Sequence, residues 1–150
     1  MTINQALRQR IRRRARFLCE YCHSSEEASA ALFTFDHLIP QSLGGTDEEE
    51  NLALACHRCN GRRYHFVDGI DPVTQASVPL FNPRRDAWSD HFVWSADGQR
   101  ISGTTPLGRA TIQRLDMNDA WHDDGAIIRA RRLWVRGGWH PPPDDPREQR

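Results

Sequence analysis

The sequence predicts an α+β fold. Its small core is stapled by a zinc site of four cysteines, an N-terminal helix precedes it, and a hairpin-plus-helices extension follows. Three observations carry that expectation. The chain of 150 residues has four cysteines in two Cys-x-x-Cys pairs, Cys19/Cys22 and Cys56/Cys59, separated by 33 residues. Short strand-like stretches mix with amphipathic helical ones. Hydrophobic content is 38%, with nine prolines and ten glycines, so turns are frequent and the core is modest. A core of that kind gains from a metal staple.

Residues 2 to 16 read as a helix. Thr2 and Gln5 have capping-box spacing, and Ile3, Leu7 and Ile11 form an apolar stripe. Arg8, Arg10, Arg12, Arg13, Arg14 and Arg16 occupy the other faces, with no acid among residues 1–16. That surface is either a solvated helix face or one laid against a phosphate backbone. All 20 basic residues are arginine, the side chain suited to bidentate phosphate contact. The acidic run Asp47-Glu48-Glu49-Glu50 offers some of them salt bridges instead. Formal net charge is zero, so any polyanion contact must come from local charge rather than overall charge.

A tight turn holding two cysteines three apart presents both sulfurs to one point, and two such turns complete a tetrahedron around Zn²⁺. A redox dithiol would need a thioredoxin-like βαβ setting, and disulfides a secreted chain. The N-terminal residues show no apolar signal-peptide core, and no run approaches the ~20 apolar residues of a membrane span. The expected setting is therefore the cytoplasm, without membrane attachment. Zinc at four cysteines is a closed structural site. It constrains everything between the pairs, including Phe33-Thr-Phe-Asp36-His37, which reads as a strand ending in an acid and a histidine. Residues 41–50 read as a loop turned by Gly44-Gly45. Residues 49–55 read as a helical turn or short helix, and a further helix is expected from Cys59 to Phe66.

Taken singly, Asp36, His37, Asn51 and Asn60 are ordinary polar residues. Together they form the string Cys-x-x-Cys … Asp36-His37-Leu-Ile-Pro40 … Gly44-Gly45-Thr46 … Glu50-Asn51-Leu52 … Cys56-His-Arg-Cys59-Asn60-x-Arg-Arg63. This closely resembles the zinc-containing form of the HNH endonuclease family over about residues 17–66. The resemblance implies a ββα-metal (His-Me finger) core of two antiparallel strands, a loop and a helix around a divalent cation. It implies His37 as the general base that takes a proton from water, and Asp36 and Asn60 as ligands of a catalytic Mg²⁺ or Mn²⁺. Asn51 would hold the loop and orient the histidine. The lysine common three residues after the last signature position is Arg63 here. Arg62, Arg63, Arg12 and Arg13 are the expected phosphate contacts.

The chemistry is consistent with those roles. Phosphodiester hydrolysis needs an activated water and a Lewis acid. A neutral histidine serves as base near cellular pH, and hard oxygens suit Mg²⁺ or Mn²⁺. The alternative is a non-catalytic zinc-binding module for nucleic acid or protein, which would need the cysteines but not Asp36, His37 or Asn60. DNA is the expected partner, RNA is compatible with the same chemistry, and the chain is expected as a monomer or homodimer.

The expected organisation is a basic amphipathic helix (1–16), the HNH domain (17–66), an accessory region packed on it (67–140) and a disordered polar tail (141–150). Within the accessory region, residues 69–83 read as an extended connection. Trp88–Trp94 and Gln99–Ser102 read as strands across an Asp97-Gly98 turn. Thr105-Pro106 starts a helix, and Asn118 is expected to cap the last one. Phe81, Trp88, Phe92 and Trp94 are expected to pack together rather than stack on bases. Arg84, Arg85 and Arg109 are the nucleic-acid candidates of this region.

Overall fold

The computed structural model describes residues 3–150. They divide into two compact units. One holds the residues up to Val67 with Asn82–Arg85, the other Asp68–Phe81 with Asp86–Arg150.

The first unit opens with α1 (Gln5–Arg14). Thr2, the expected capping residue, lies outside the described residues. The Asn4 side chain caps the helix, accepting from the Leu7 N–H at 2.8 Å. Ile11 is its buried anchor. β1 (Thr34–His37) and β2 (Leu52–Ala55) form an antiparallel pair, with His37 opposite Leu52 and Asp36 opposite Ala53. β2 replaces the short helix expected at residues 49–55, where only a single 3₁₀ turn, Glu49–Asn51, precedes it. All four residues of β2 are buried. A strand covered on both faces shows no alternation, so Leu-Ala-Leu-Ala cannot be told from helix by its periodicity.

After β2 comes α2 (His57–Arg63), which starts two residues before the expected Cys59 and stops short of Phe66. Cys56 caps its start, its Sγ accepting from the Cys59 N–H at 3.4 Å. It stops because Tyr64 takes a positive φ of 53°.

The second unit begins with a hairpin, β3 (Asp68–Ile70) and β4 (Ser77–Pro79), where the sequence suggested an unpaired connection. Asp71 organises its turn. It accepts from the Val73 and Thr74 N–H groups and from the Thr74 hydroxyl, and binds Arg109 through Nε and Nη2, both at 2.9 Å. Arg109 is therefore a structural partner of Asp71, not the nucleic-acid contact expected of it, and this pairing holds the Asp71 carboxyl well below the usual range.

Trp88–His91 is a helical turn, α3, and the strand begins only at β5 (Phe92–Trp94). β5 pairs with β6 (Ile101–Gly103) across the expected Asp97-Gly98 turn. Thr105 caps α4 (Pro106–Leu115) as expected, accepting from the Gly108 N–H at 3.0 Å. Asn118 caps nothing. Its amide bonds both the N–H and the C=O of Ile101 at 2.9 Å, and it accepts from Arg131 of α5 (Ala126–Arg136). Phe81, Trp88, Phe92 and Trp94 pack together, with ring centroids 5.1–5.9 Å apart along the chain of contacts.

The tail expected to be disordered is tied down. Trp94 N–H donates to Pro146 C=O at 3.0 Å, Glu148 N–H donates to Trp94 C=O at 2.8 Å, and the Trp94 indole donates to Asp145. β5 has β6 on one side only, so its other edge needs covering, and the tail supplies the missing partner. No helix among the described residues is long and apolar enough to cross a membrane.

Candidate metal centre and active site

The first cysteine turn is closed by its own backbone. Cys19 N–H donates to Ser24 C=O at 2.8 Å, and His23 N–H, at positive φ, donates to Cys19 C=O at 2.9 Å. The second is the junction of β2 and α2, where Cys56 leaves the strand and Cys59 lies in the helix. The first turn is fastened through Glu20 to β2, the strand that leads into the second: Glu20 N–H donates to Leu54 C=O, and its carboxylate accepts from Leu54 N–H at 2.7 Å.

All four cysteines are buried and free of disulfides, with their sulfurs within 4.8 Å of one another and Cys22 to Cys56 at 3.8 Å. Zn–S bonds of about 2.3 Å in a tetrahedron place sulfurs about 3.8 Å apart, so the cluster is compatible with structural zinc. Burial pushes the Cys19 thiol well above its ordinary range, and hydrogen bonds among the sulfurs push Cys59 up and Cys22 down, as expected of four close thiols that share protons. Ser24 Oγ lies 3.2 Å from Cys22 Sγ. His57, the other possible ligand in the second turn, is exposed and directs Nε2 to Leu32 C=O at 2.9 Å.

The loop between β1 and β2 is sewn together by Asn51. Its Oδ1 accepts from Ile39 N–H at 2.8 Å, and its Nδ2 donates to Ile39 C=O and Thr46 C=O at 3.1 and 2.8 Å. Gly45 fills the space so closely that a Cβ would sit 1.6 Å from Ile39 O. Only glycine allows this crossing of the loop on itself. Asn51, buried, thus ties the loop together, and its side chain makes no hydrogen bond to His37 among the described residues.

Asp36 and His37 point to different surroundings, as neighbours on a strand do. Asp36 is only 5% exposed, and its Oδ2 accepts from the Tyr21 hydroxyl at 2.6 Å and from Arg63 Nη1 at 2.8 Å. Burial pushes its carboxyl up, opposed by Arg63 and Tyr21. Oδ1 makes no hydrogen bond among the described residues. Asn60 stands three residues before Arg63, on the same side of α2. It is half-buried, and its side-chain amide also makes no hydrogen bond among the described residues. Through Arg63, the helix face carrying Asn60 is drawn to the strand end carrying Asp36.

Arg63 itself is not a phosphate contact. It is 3% exposed, and besides Asp36 it donates to His37 C=O at 3.0 Å and Leu38 C=O at 2.5 Å. Those carbonyls end β1 without strand partners, and a buried arginine fork satisfies them. Arg63→Ala is therefore expected to cost about 3–5 kcal/mol, because it leaves a buried carboxylate uncompensated. Urea denaturation measures this directly, and a loss near zero would show that the pair is replaceable.

Of the other expected phosphate contacts, Arg12 is committed to Glu26 at 2.9 Å and lies over the Phe35 ring at 5.1 Å. Arg13 is exposed and Arg62 half-buried. Arg10 pairs with Glu49 at 2.8 Å, and Arg14 donates to the Glu49 and Leu52 carbonyls. Arg84 is bound to Glu20. Much of the arginine that suggested a phosphate surface thus holds the unit together.

His37 carries a partner that the sequence did not single out. Its Nε2 lies 2.7 Å from Asp47 Oδ1, and its side chain keeps 23% exposure. The hydrogen bond to His37 holds the Asp47 carboxyl below its usual range. Asp47 was hidden in the acidic run, where four consecutive acids read as a solvated patch. The signal that could have found it is its place directly after Gly44-Gly45-Thr46, in a loop that must fold back on the strand end.

Residues 19–66 match the family model described as HNH endonuclease. Neither the curated proteins nor the solved structures gave a match to the chain.

Proposed function

We propose that the segment 19–66, an HNH endonuclease domain by its family match, makes this chain a metal-dependent endonuclease that hydrolyses phosphodiester bonds in DNA. The observation that carries the reading is the division of labour at the end of β1. Asp36 and His37 are adjacent, yet one is locked by Tyr21 and Arg63 while the other stays half-exposed with a carboxylate behind it. A module that only binds zinc needs neither arrangement.

In this reading Asp36 Oδ1 and the Asn60 amide oxygen hold the catalytic cation. Both are uncommitted oxygens of the hard type that Mg²⁺ or Mn²⁺ accepts, on elements pinned together by Arg63. When bound, the cation supplies Lewis-acid stabilisation of the phosphoryl and leaving oxygens. His37 removes the proton from the attacking water. Asn51 keeps the loop in the shape that presents His37. Tyr21 and Arg63 fix the Asp36 carboxylate in one rotamer, so its free oxygen is aimed before substrate arrives. Arg13 and Arg62 remain the candidates for phosphate contact. The zinc cysteines take no part in the chemistry.

Zinc-loaded protein is expected to nick or linearise supercoiled plasmid when Mg²⁺ or Mn²⁺ is added, and not when it is omitted. The assay extends to single-stranded and branched DNA and to RNA. Intact substrate under every divalent ion would favour the zinc-binding interaction module instead.

A further inference from the structure

We infer that Asp47 is a positioning residue for the base: it holds His37 as the Nε2–H tautomer and so directs Nδ1 to the water. The inference deepens the endonuclease reading and rests on it. An ionised carboxylate only accepts hydrogen bonds. At 2.7 Å from Asp47 Oδ1, His37 Nε2 is therefore the donor. A neutral imidazole carries one N–H, so a proton on Nε2 leaves the lone pair on Nδ1. Nδ1 makes no hydrogen bond among the described residues, and the side chain keeps 23% exposure, so that lone pair is the one available to water.

Asp47 can exert this control because its own position is imposed. Asn51 Nδ2 holds Thr46 C=O at 2.8 Å, one residue before Asp47. Gly45 N–H donates to Pro40 C=O at 2.9 Å, and Gln41 Nε2 approaches Asp47 Oδ1 at 3.5 Å. On the other side of the acid, Asn51 N–H donates to Glu48 C=O at 2.9 Å, so the loop is fastened before and after Asp47, and the acid fastens the ring. In the chemical step a water O–H bond breaks and its proton goes to Nδ1; the freed electron pair on that oxygen forms a new P–O bond while the P–O bond to the leaving oxygen breaks, and the leaving oxygen keeps that bond's electron pair and takes a proton from solvent water. The imidazolium that results still donates Nε2–H to Asp47, whose negative charge stabilises it.

Two measurements on the full chain test this. The first is a long-range ¹H–¹⁵N correlation spectrum of the zinc-loaded protein without added divalent cation, well above the ordinary histidine pKa of about 6.5. The His37 signals are assigned by their loss in His37→Ala. The expected pattern is Nε2–H in the wild type and a mixture of tautomers in Asp47→Ala. A wild-type ring protonated at Nδ1 overturns the inference.

The second is steady-state cleavage. Asp47→Ala is expected to lower kcat at least about 10-fold while KM stays within about two-fold, and Asp47→Glu to recover part of the loss. An unchanged kcat overturns the role of Asp47. A raised kcat does so too, since it would mean that the acid obstructs the histidine. If the wild type cleaves nothing, the endonuclease reading fails and takes the catalytic role of Asp47 with it. The spectrum then still reports separately whether Asp47 sets the tautomer.

Discussion

His37→Ala protein, purified with its zinc, is expected to cleave plasmid about 10²- to 10⁴-fold more slowly than the wild type, the range lost when a positioned general base is removed. KM should barely move, because the imidazole is assigned to the transition state rather than to substrate binding. The substitution is unusually clean for this site. Among the described residues the His37 side chain makes one hydrogen bond, to the half-buried Asp47, and it stands at the last position of β1. Its removal leaves the sulfur cluster, the Asn51 stitches and the Asp36–Arg63 pair untouched. Zinc content and the denaturation midpoint should therefore match the wild type. Asp36→Ala offers no such separation, since it strands Arg63 in the interior and costs folding along with any metal affinity. Asn60→Ala, whose amide has no protein partner among the described residues, is the cleaner test of the cation site. Wild-type cleavage by His37→Ala would remove the histidine from the mechanism even if the metal dependence held.

How much of this was legible depended on whether a residue's role is encoded locally. The cysteine turns were readable because two sulfurs three residues apart can meet one ion only in a tight turn, and two such turns define one point. Asp36-His37 and Asn60 could be singled out as candidates by their gaps to those turns, and the structure sets the end of β1 beside the helix that carries Asn60; their catalytic roles belong to the proposal. Asn51 could be singled out for the same reason; its three hydrogen bonds run across the loop to Ile39 and Thr46, while the orienting of the histidine that the resemblance also implied is not among them. Arg63 was not legible. In sequence it is half of an Arg-Arg pair after a metal turn, which reads as surface charge. Its burial follows from two carbonyls at the end of β1, 26 and 25 positions earlier, that have no strand partner. Asp47 was lost in a run of like charges, and its meaning lies in a ring across the loop. β2 was missed because burial of both faces erased its alternation, and the tail because the partners it meets, among them the far edge of β5 and the Ala96 carbonyl, lie far back in the chain. In each failure the deciding interaction was non-local and polar or two-sided. Pattern reading carries no information about such partners until the fold brings them together.

Stripping zinc, or replacing Cys59 by serine, is expected to unfold the unit that contains the candidate site rather than merely inactivate it. A structural zinc site contributes on the order of 10 kcal/mol at neutral pH, while a whole domain is stable by about 5–15 kcal/mol. The strand pair here has four residues per strand, α2 has seven residues, and neither could persist alone. The position of the cysteines sharpens the expectation. Cys56 caps α2 and ends β2, so losing the metal frees the start of the helix and the end of the strand together. The first cysteine turn is joined to β2 through both the backbone and the carboxylate of Glu20 at Leu54. Release of that turn uncovers a strand whose every residue is buried. Without the metal, four buried sulfurs also lose the partner that compensates their desolvation. Colorimetric titration should find one zinc per chain. Chelation monitored by circular dichroism and amide exchange should show protection at Leu52–Ala55 disappearing as zinc is released, with cleavage lost in parallel. Protection that survives with less than a tenth of the zinc remaining would mean that the apolar packing of β2 and α1 holds the unit by itself, and that the cysteine cluster is something other than its staple.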